Sequence, residues 1–150
     1  MKRRQQEGKI TTTYTCCTEP FPNMFTFSPP AESSWLPWHT LAEGFNGYLR
    51  WAYNSWSKKV LQDTRFRAFP AGDCYMVYPS GSSIRMERLI EGIQDVEKVR
   101  LLREEFTREG QTEKLQKLNN IVARFVPANM NGSNAAQMIN QARQELRTLQ

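Results

Sequence analysis

An α/β architecture, either a barrel or a layered sheet, is the fold class this sequence predicts, and three features point to it. The first is an aromatic ribbon, GYLRWAYNSW from Gly47 to Trp56, continued by LQDTRFRAFPAGDCYMVYP from Leu61 to Pro79. Leu49, Trp51 and Tyr53 alternate with Tyr48, Arg50, Ala52 and Asn54. That is the period of a strand with large side chains on both faces, which predicts burial on both sides. The second feature is the order strand, long loop, helix, strand over residues 9–56, a crossover that sets its two strands parallel. The third is an amphipathic helix of about 25 residues, roughly seven turns, beginning at Ile84.

Met1 to Gly8 reads as the polar end of a helix stopped by Gly8, so the chain is expected to begin mid-element. KITTTYTCC, Lys9 to Cys17, is rich in β-branched residues and predicts a strand. TEPFPNMFTFSPP, Thr18 to Pro30, carries four prolines and predicts a long loop, which Phe21, Phe25 and Phe27 argue is ordered. Glu32 to Phe45 places Trp35, Trp38, Leu41, Ala42 and Phe45 at helical spacing, with Gly44 or Gly47 as its end. A loop over Ser57 to Gly72 holds Asp63, Arg65 and Arg67, and DCYMVYP from Asp73 to Pro79 predicts a third short strand.

Ser83 is placed to cap the long helix, whose inward stripe is expected to be Ile84, Leu89, Ile93, Val96, Leu101 and Leu102, with Phe106 near its end and Gly110 as its stop. Thr112 to Phe125 repeats the pattern. An Asn131-Gly132 turn follows, and Ser133 is placed to cap a last helix over Asn134 to Leu149. These helices read as a C-terminal hairpin appended to the α/β part, giving a division at 1–109 and 110–150.

Composition narrows the function. Of 150 residues 39% are hydrophobic, and no apolar run approaches the roughly 20 residues of a membrane helix. Lys2, Arg3 and Arg4 precede no apolar stretch of a secretory signal. The net charge of +5 invites nucleic acid. However, Lys98, Arg100, Arg103 and Arg108 are interleaved with Glu97, Glu104, Glu105 and Glu109, a solvated face rather than the one-signed stripe that phosphates need. Cys16, Cys17 and Cys74 lack metal-ligand spacing, and His39 is the one histidine, so neither a metal nor a cofactor is expected. Cys16 and Cys17 should point to opposite faces of a strand as two buried thiols rather than a disulfide.

Tryptophan, tyrosine, asparagine, aspartate and arginine gathered at strand ends suit a sugar. An aromatic plane covers the apolar face of a pyranose, while amide, carboxylate and guanidinium groups bond its hydroxyls. The same aromatics at this spacing also serve simply as core. Asp63 and Asp73 are either sugar ligands or partners of Arg65 or Arg67. Glu104 and Glu105, one turn from Arg108, read as surface. Glu19 in the long loop stays a candidate, and His39 beside Trp38 reads as structural.

The strings TTTYTCCTEPFPNMFTFSPPAESSWLPWHTLAEGFNGYLRWAYNSW, DTRFRAFPAGDCYMVYP and SSIRMERLIEGIQDVEKVRLL, in this order over Lys9 to Phe106, resemble the C-terminal portion of the glycoside hydrolase family 123 catalytic domain. Many such proteins contain domain of unknown function 4091. The resemblance implies a (β/α)8 TIM barrel, with the three strands as its sixth, seventh and eighth and the helix from Ile84 as its last. Barrel sites lie at strand C-terminal ends, which singles out Tyr14, Trp51, Tyr53, Asn54, Trp56, Asp63, Asp73 and Tyr78 as substrate-binding, with loops 18–30 and 57–72 beside them. It implies β-N-acetylgalactosaminidase activity, retaining, with the substrate's 2-acetamido group as nucleophile. The partner is then a glycan containing N-acetylgalactosamine, met in the periplasm or outside a bacterial cell.

In that family a consecutive Asp-Glu pair orients the acetamido group and protonates the leaving oxygen. Here Asp63, Asp73 and Asp95 are followed by Thr, Cys and Val, so no catalytic residue is assigned. The expectation is therefore a C-terminal fragment of about three strand-helix units followed by a helical hairpin, supplying the sugar-binding wall of an active site and inactive when isolated. The rival expectations are a stand-alone carbohydrate-binding module and a helical interaction domain built on residues 84–150.

Overall fold

A computed structural model describes residues 2–66, 68–130 and 134–150. The expectations for Met1, Arg67, the Asn131-Gly132 turn and the Ser133 cap fall outside them. The fold mixes helices with a small parallel sheet. Helix α1 (Lys2–Gln6) leads into β1 (Thr12–Tyr14), α2 (Ala31–Ala42), β2 (Gly47–Leu49), α3 (Ile84–Arg108), α4 (Thr112–Ala123), a 3-10 turn at Pro127–Asn129 and α5 (Ala135–Thr148). Strands β1 and β2 run parallel in the register Thr12 with Gly47 and Tyr14 with Leu49, as a helical crossover through α2 demands.

The helix ends follow local chemistry. Gly44 adopts φ 74° after α2, and the bonds Phe45 N–H to Thr40 O at 3.0 Å and Gly44 N–H to Leu41 O at 3.1 Å close a Schellman motif. Ser83 caps α3 as the sequence predicts, its Oγ accepting from the Met86 N–H at 3.2 Å. Pro37 sits inside α2, where the lost backbone donor typically costs about 3 kcal/mol. Tertiary packing holds the helix together, since Trp35, Leu36 and Trp38 on either side are buried.

The core lies on the helical side. Trp35 and Trp38 of α2 pack with Val99, Leu102 and Phe106 of α3, Leu118, Ile121 and Val122 of α4, Phe125, and Ile139, Ala142 and Leu146 of α5. Trp38 stacks on Phe125 at 4.5 Å between ring centres. One continuous apolar cluster thus runs across residue 110.

Five expectations are corrected. The strands predicted over 9–17 and 47–56 shrink to Thr12–Tyr14 and Gly47–Leu49. The segment 73–79 forms no strand: its Tyr75 makes an isolated antiparallel bridge to Asn54, and Tyr78 bridges to Gly81. A two-stranded sheet has too few neighbours to propagate a ladder, so turns take up these backbone groups, as when Asp73 N–H bonds Pro70 O at 3.0 Å. The ribbon is not buried on both faces, because Leu49, Trp51 and Tyr53 are exposed and no second layer among the described residues covers them. Cys17 is exposed and Cys16 half-buried rather than both buried, whereas Cys74 is buried.

The fifth correction concerns part of the inward stripe of α3, since Leu102 is buried as expected. Ile84, Ile93 and Leu101 are 50–55% exposed, whereas Arg85, Gly92, Val99, Leu102 and Phe106 are buried. Gly92 sits on the covered side. A Cβ there would stand 2.4 Å from the Ser34 carbonyl oxygen, so glycine alone lets the two backbones meet, and α3 turns that side toward α2. Leu89, Ile93 and Val96 line an apolar groove of about 410 Å³ with Leu41 and Tyr48, and Leu89 also packs against the buried Met24, Leu36 and Met76. No helix among the described residues is long and apolar enough to cross a membrane.

Candidate functional site

In a parallel pair, residues in register point to the same face. Tyr14 and Leu49 therefore stand together, and Trp51 and Tyr53 continue the row past the last ladder bond. All four are exposed, Tyr14 to 55%, Trp51 to 43% and Tyr53 to 51%. Trp51 is braced by Phe69, ring centres 5.0 Å apart. This open aromatic face lies at the C-terminal exit of both strands, opposite the groove lined by Tyr48.

Behind the face the polar groups are dry. Arg50, its side chain 8% exposed, donates from Nη1 to Thr15 O at 2.8 Å and from Nη2 to Asp73 Oδ1 at 2.7 Å, with a further short bond to Asp73 O. Tyr48 shares a 2.7 Å hydrogen bond with Thr15 Oγ1, and burial pushes its phenol up. Arg85, buried at the start of α3, donates to Met24 O and Gly72 O and lies 4.9 Å over the Tyr75 ring. It thereby ties loop 18–30 to loop 57–72, as does the bond from Thr26 N–H to Ala71 O at 2.9 Å.

The other candidates are placed as follows. Asn54 is exposed and held through its backbone bridge to Tyr75. Trp56 is half-buried, and its indole N–H bonds Val77 O at 2.7 Å. Asp63 takes a bidentate pair from Arg65, at 2.9 and 3.0 Å, which holds its carboxyl down at about 2. Asp73 is fully buried, and its partner is Arg50 rather than Arg65, so its carboxylate faces protein. Tyr78 is half-buried against Tyr75, ring centres 5.3 Å apart. The structure thus brings Tyr14, Trp51 and Tyr53 to one open side, leaves Asn54 exposed next to them in the chain, and sets Asp73 behind.

Sequence reading passed over Arg50 and Arg85. The available signal was the position of Arg50 among the even-numbered residues of the ribbon, opposite Trp51. His39 is half-buried at the edge of the core, its Nδ1 3.0 Å from Phe125 O and its ring stacked on Trp35. Among the described residues no group of three His, Cys, Asp or Glu side chains is placed to hold a metal ion.

Glu19 closes the exit of β1. Its Oε2 accepts the Cys16 N–H at 2.7 Å, and that bond is the main reason its carboxyl sits below the ordinary glutamate range. A carboxyl lowered in the fold contributes stability above its unfolded value and loses it as pH falls through the folded one. In an acid titration the Glu19 carboxyl and the Cys16 amide are therefore expected to shift together, below the ordinary glutamate range. Titration of Glu19 at or above that range would disprove the cap.

The family model for the glycoside hydrolase 123 catalytic domain matches residues 1–102. The chain belongs to glycoside hydrolase family 123. A solved family 123 glycoside hydrolase from Clostridium perfringens, described for the details of glycolipid glycan hydrolysis, superposes with a TM-score of 0.80 at 25% identity. The match covers 99% of this chain and 28% of that one. No curated protein matches the chain. The chain therefore spans little more than a quarter of that hydrolase, and α4 and α5, beyond the family 123 match, have counterparts in it.

Proposed function

We propose that this chain supplies the sugar-stacking wall of a family 123 active site whose acids reside on further polypeptide. The observation that carries the reading is the exposed row Tyr14, Leu49, Trp51 and Tyr53 at the strand exits. Solvated aromatic planes backed by a rigid ion pair suit the apolar face of a pyranose, and exposed Asn54 and half-buried Asp63 offer hydrogen bonds beside it. Asp73 serves the wall through Arg50.

The parallel β1-α2-β2 unit supports reading residues 1–109 as part of a (β/α)8 barrel, with residues 110–150 as a helical extension that shares its core. Closing such a barrel takes eight strands, so further strand-helix units would complete it. The reaction proposed for the whole is retaining hydrolysis of β-linked N-acetylgalactosamine, with the 2-acetamido group attacking the anomeric carbon while an acid protonates the departing oxygen. This chain has no Asp-Glu pair to do so.

The 150-residue chain is therefore expected to leave an aryl β-N-acetylgalactosaminide intact, while N-acetylgalactosamine at millimolar concentration perturbs the NMR signals of Trp51 and Tyr53. Trp51→Ala should abolish the perturbation and change stability by no more than about 1 kcal/mol, because the ring is half exposed. Turnover would refute the placing of the acids elsewhere, and an unperturbed Trp51 would refute the wall. Saturable micromolar binding would favour a stand-alone carbohydrate-binding module instead.

A further inference from the structure

We propose that the buried Arg50–Asp73 pair is a positioning element that sets the spacing of the aromatic face. The ladder between β1 and β2 ends at Tyr14 and Leu49, and Arg50 is the next residue, where the two backbones part company. Its guanidinium accepts the task the ladder has dropped. One end holds Thr15 O of the β1 exit and the other holds both the carboxylate and the carbonyl of Asp73. Three stretches distant in sequence are thus pinned to one planar fork.

The consequence falls on Trp51 and Tyr53. Arg50 lies between Leu49 and Trp51, so its side chain points away from the face they form. Asp73 begins the segment whose backbone grips the ribbon, through Ser55 N–H to Cys74 O at 3.0 Å and Met76 N–H to Tyr53 O at 2.7 Å. Pulling Asp73 toward Thr15 therefore sets how far Tyr53 and Trp51 stand from Tyr14. Arg50 Nε and Asp73 Oδ2 are buried without a partner among the described residues, so the pair retains polar groups that a purely apolar filling would not need. It is placed for geometry, and neither residue is asked to touch a substrate.

The inference rests on the saccharide reading only for what the face binds. Its test uses the full chain, isotopically labelled, with Arg50→Lys as the first variant. Lysine keeps the buried charge balanced but, as a point charge, cannot span Thr15 and Asp73 as a fork does. The Ser55 and Met76 amides are expected to exchange at least about tenfold faster while amides of α2 and α3 keep their protection, because local opening is separable from the core. The Trp51–Phe69 contact should weaken in the same spectra, and N-acetylgalactosamine should no longer perturb Trp51.

A second variant, Arg50→Met with Asp73→Leu, removes both charges, a change that cores often tolerate. It should show the same local loosening. Wild-type protection at Ser55 and Met76 in both variants would overturn the proposal, and so would protection lost evenly through all helices, which marks a merely structural pair. If wild-type Trp51 ignores the sugar but the local loosening appears, the positioning role stands and the saccharide reading falls.

Discussion

A chain cut after Glu109 is expected to lose its cooperative fold. Phe125, Ile121, Ile139, Ala142 and Leu146 share one cluster with Trp35 and Trp38, and removing them strips both indoles of their cover. Deleting a single large core side chain typically costs about 3–5 kcal/mol, and the cut removes several at once, against a total stability of about 5–15 kcal/mol for a domain. Circular dichroism should show helix without a sharp melting transition, together with exposed tryptophan emission. A sharp, two-state melt of residues 1–109 would show that the α/β part is self-sufficient and that the helical extension is a separate unit.

Fixing the extension takes polar contacts as well. Asp95 of α3 receives Arg143 of α5 at 2.9 Å and the Trp38 indole N–H at 3.3 Å, so three helices meet at one carboxylate. Removing residues 1–82 would take Trp35 and Trp38 out of the same cluster, so residues 84–150 alone are expected to form helix without a fixed core.

Gly92→Ala is the second large effect. The new methyl carbon would lie 2.4 Å from Ser34 O and 3.0 Å from Pro37 Cγ, and backbone on one side leaves no flexible side chain to give way. Forcing a methyl into such a contact costs about 1–3 kcal/mol, occasionally more. The alanine gains helix propensity of about 1 kcal/mol over glycine, which offsets only part of it. At a few degrees per kcal/mol for a chain of this size, the melting temperature should fall by about 5 °C. Gly92→Ala melting at or above wild type would mean that α2 and α3 are not in backbone contact there.

Residue types and their spacing sufficed for much of the architecture. Glycines at 8, 44 and 110 mark helix ends, Ser83 marks a helix start, and the strand-helix-strand order predicts a parallel pair. These are local rules, obeyed by a few adjacent residues whatever surrounds them. The family strings were equally legible, because uncommon words in a fixed order survive without any knowledge of their contacts.

Which side of each element is covered was another matter. The period of the ribbon allowed burial on both faces, yet Leu49, Trp51 and Tyr53 stand in solvent, because burial depends on a second layer that no spacing within the ribbon encodes. Ile84, Ile93 and Leu101 are apolar but do not share one face at 100° per residue, and the covered side of α3 is the one that carries Gly92, Val99, Leu102 and Phe106, where the backbone meets α2. Asp73 and Arg50 lie 23 residues apart, and nothing near either one names the other. Such a pairing follows from where the chain has brought its distant parts, and that is settled by packing the whole.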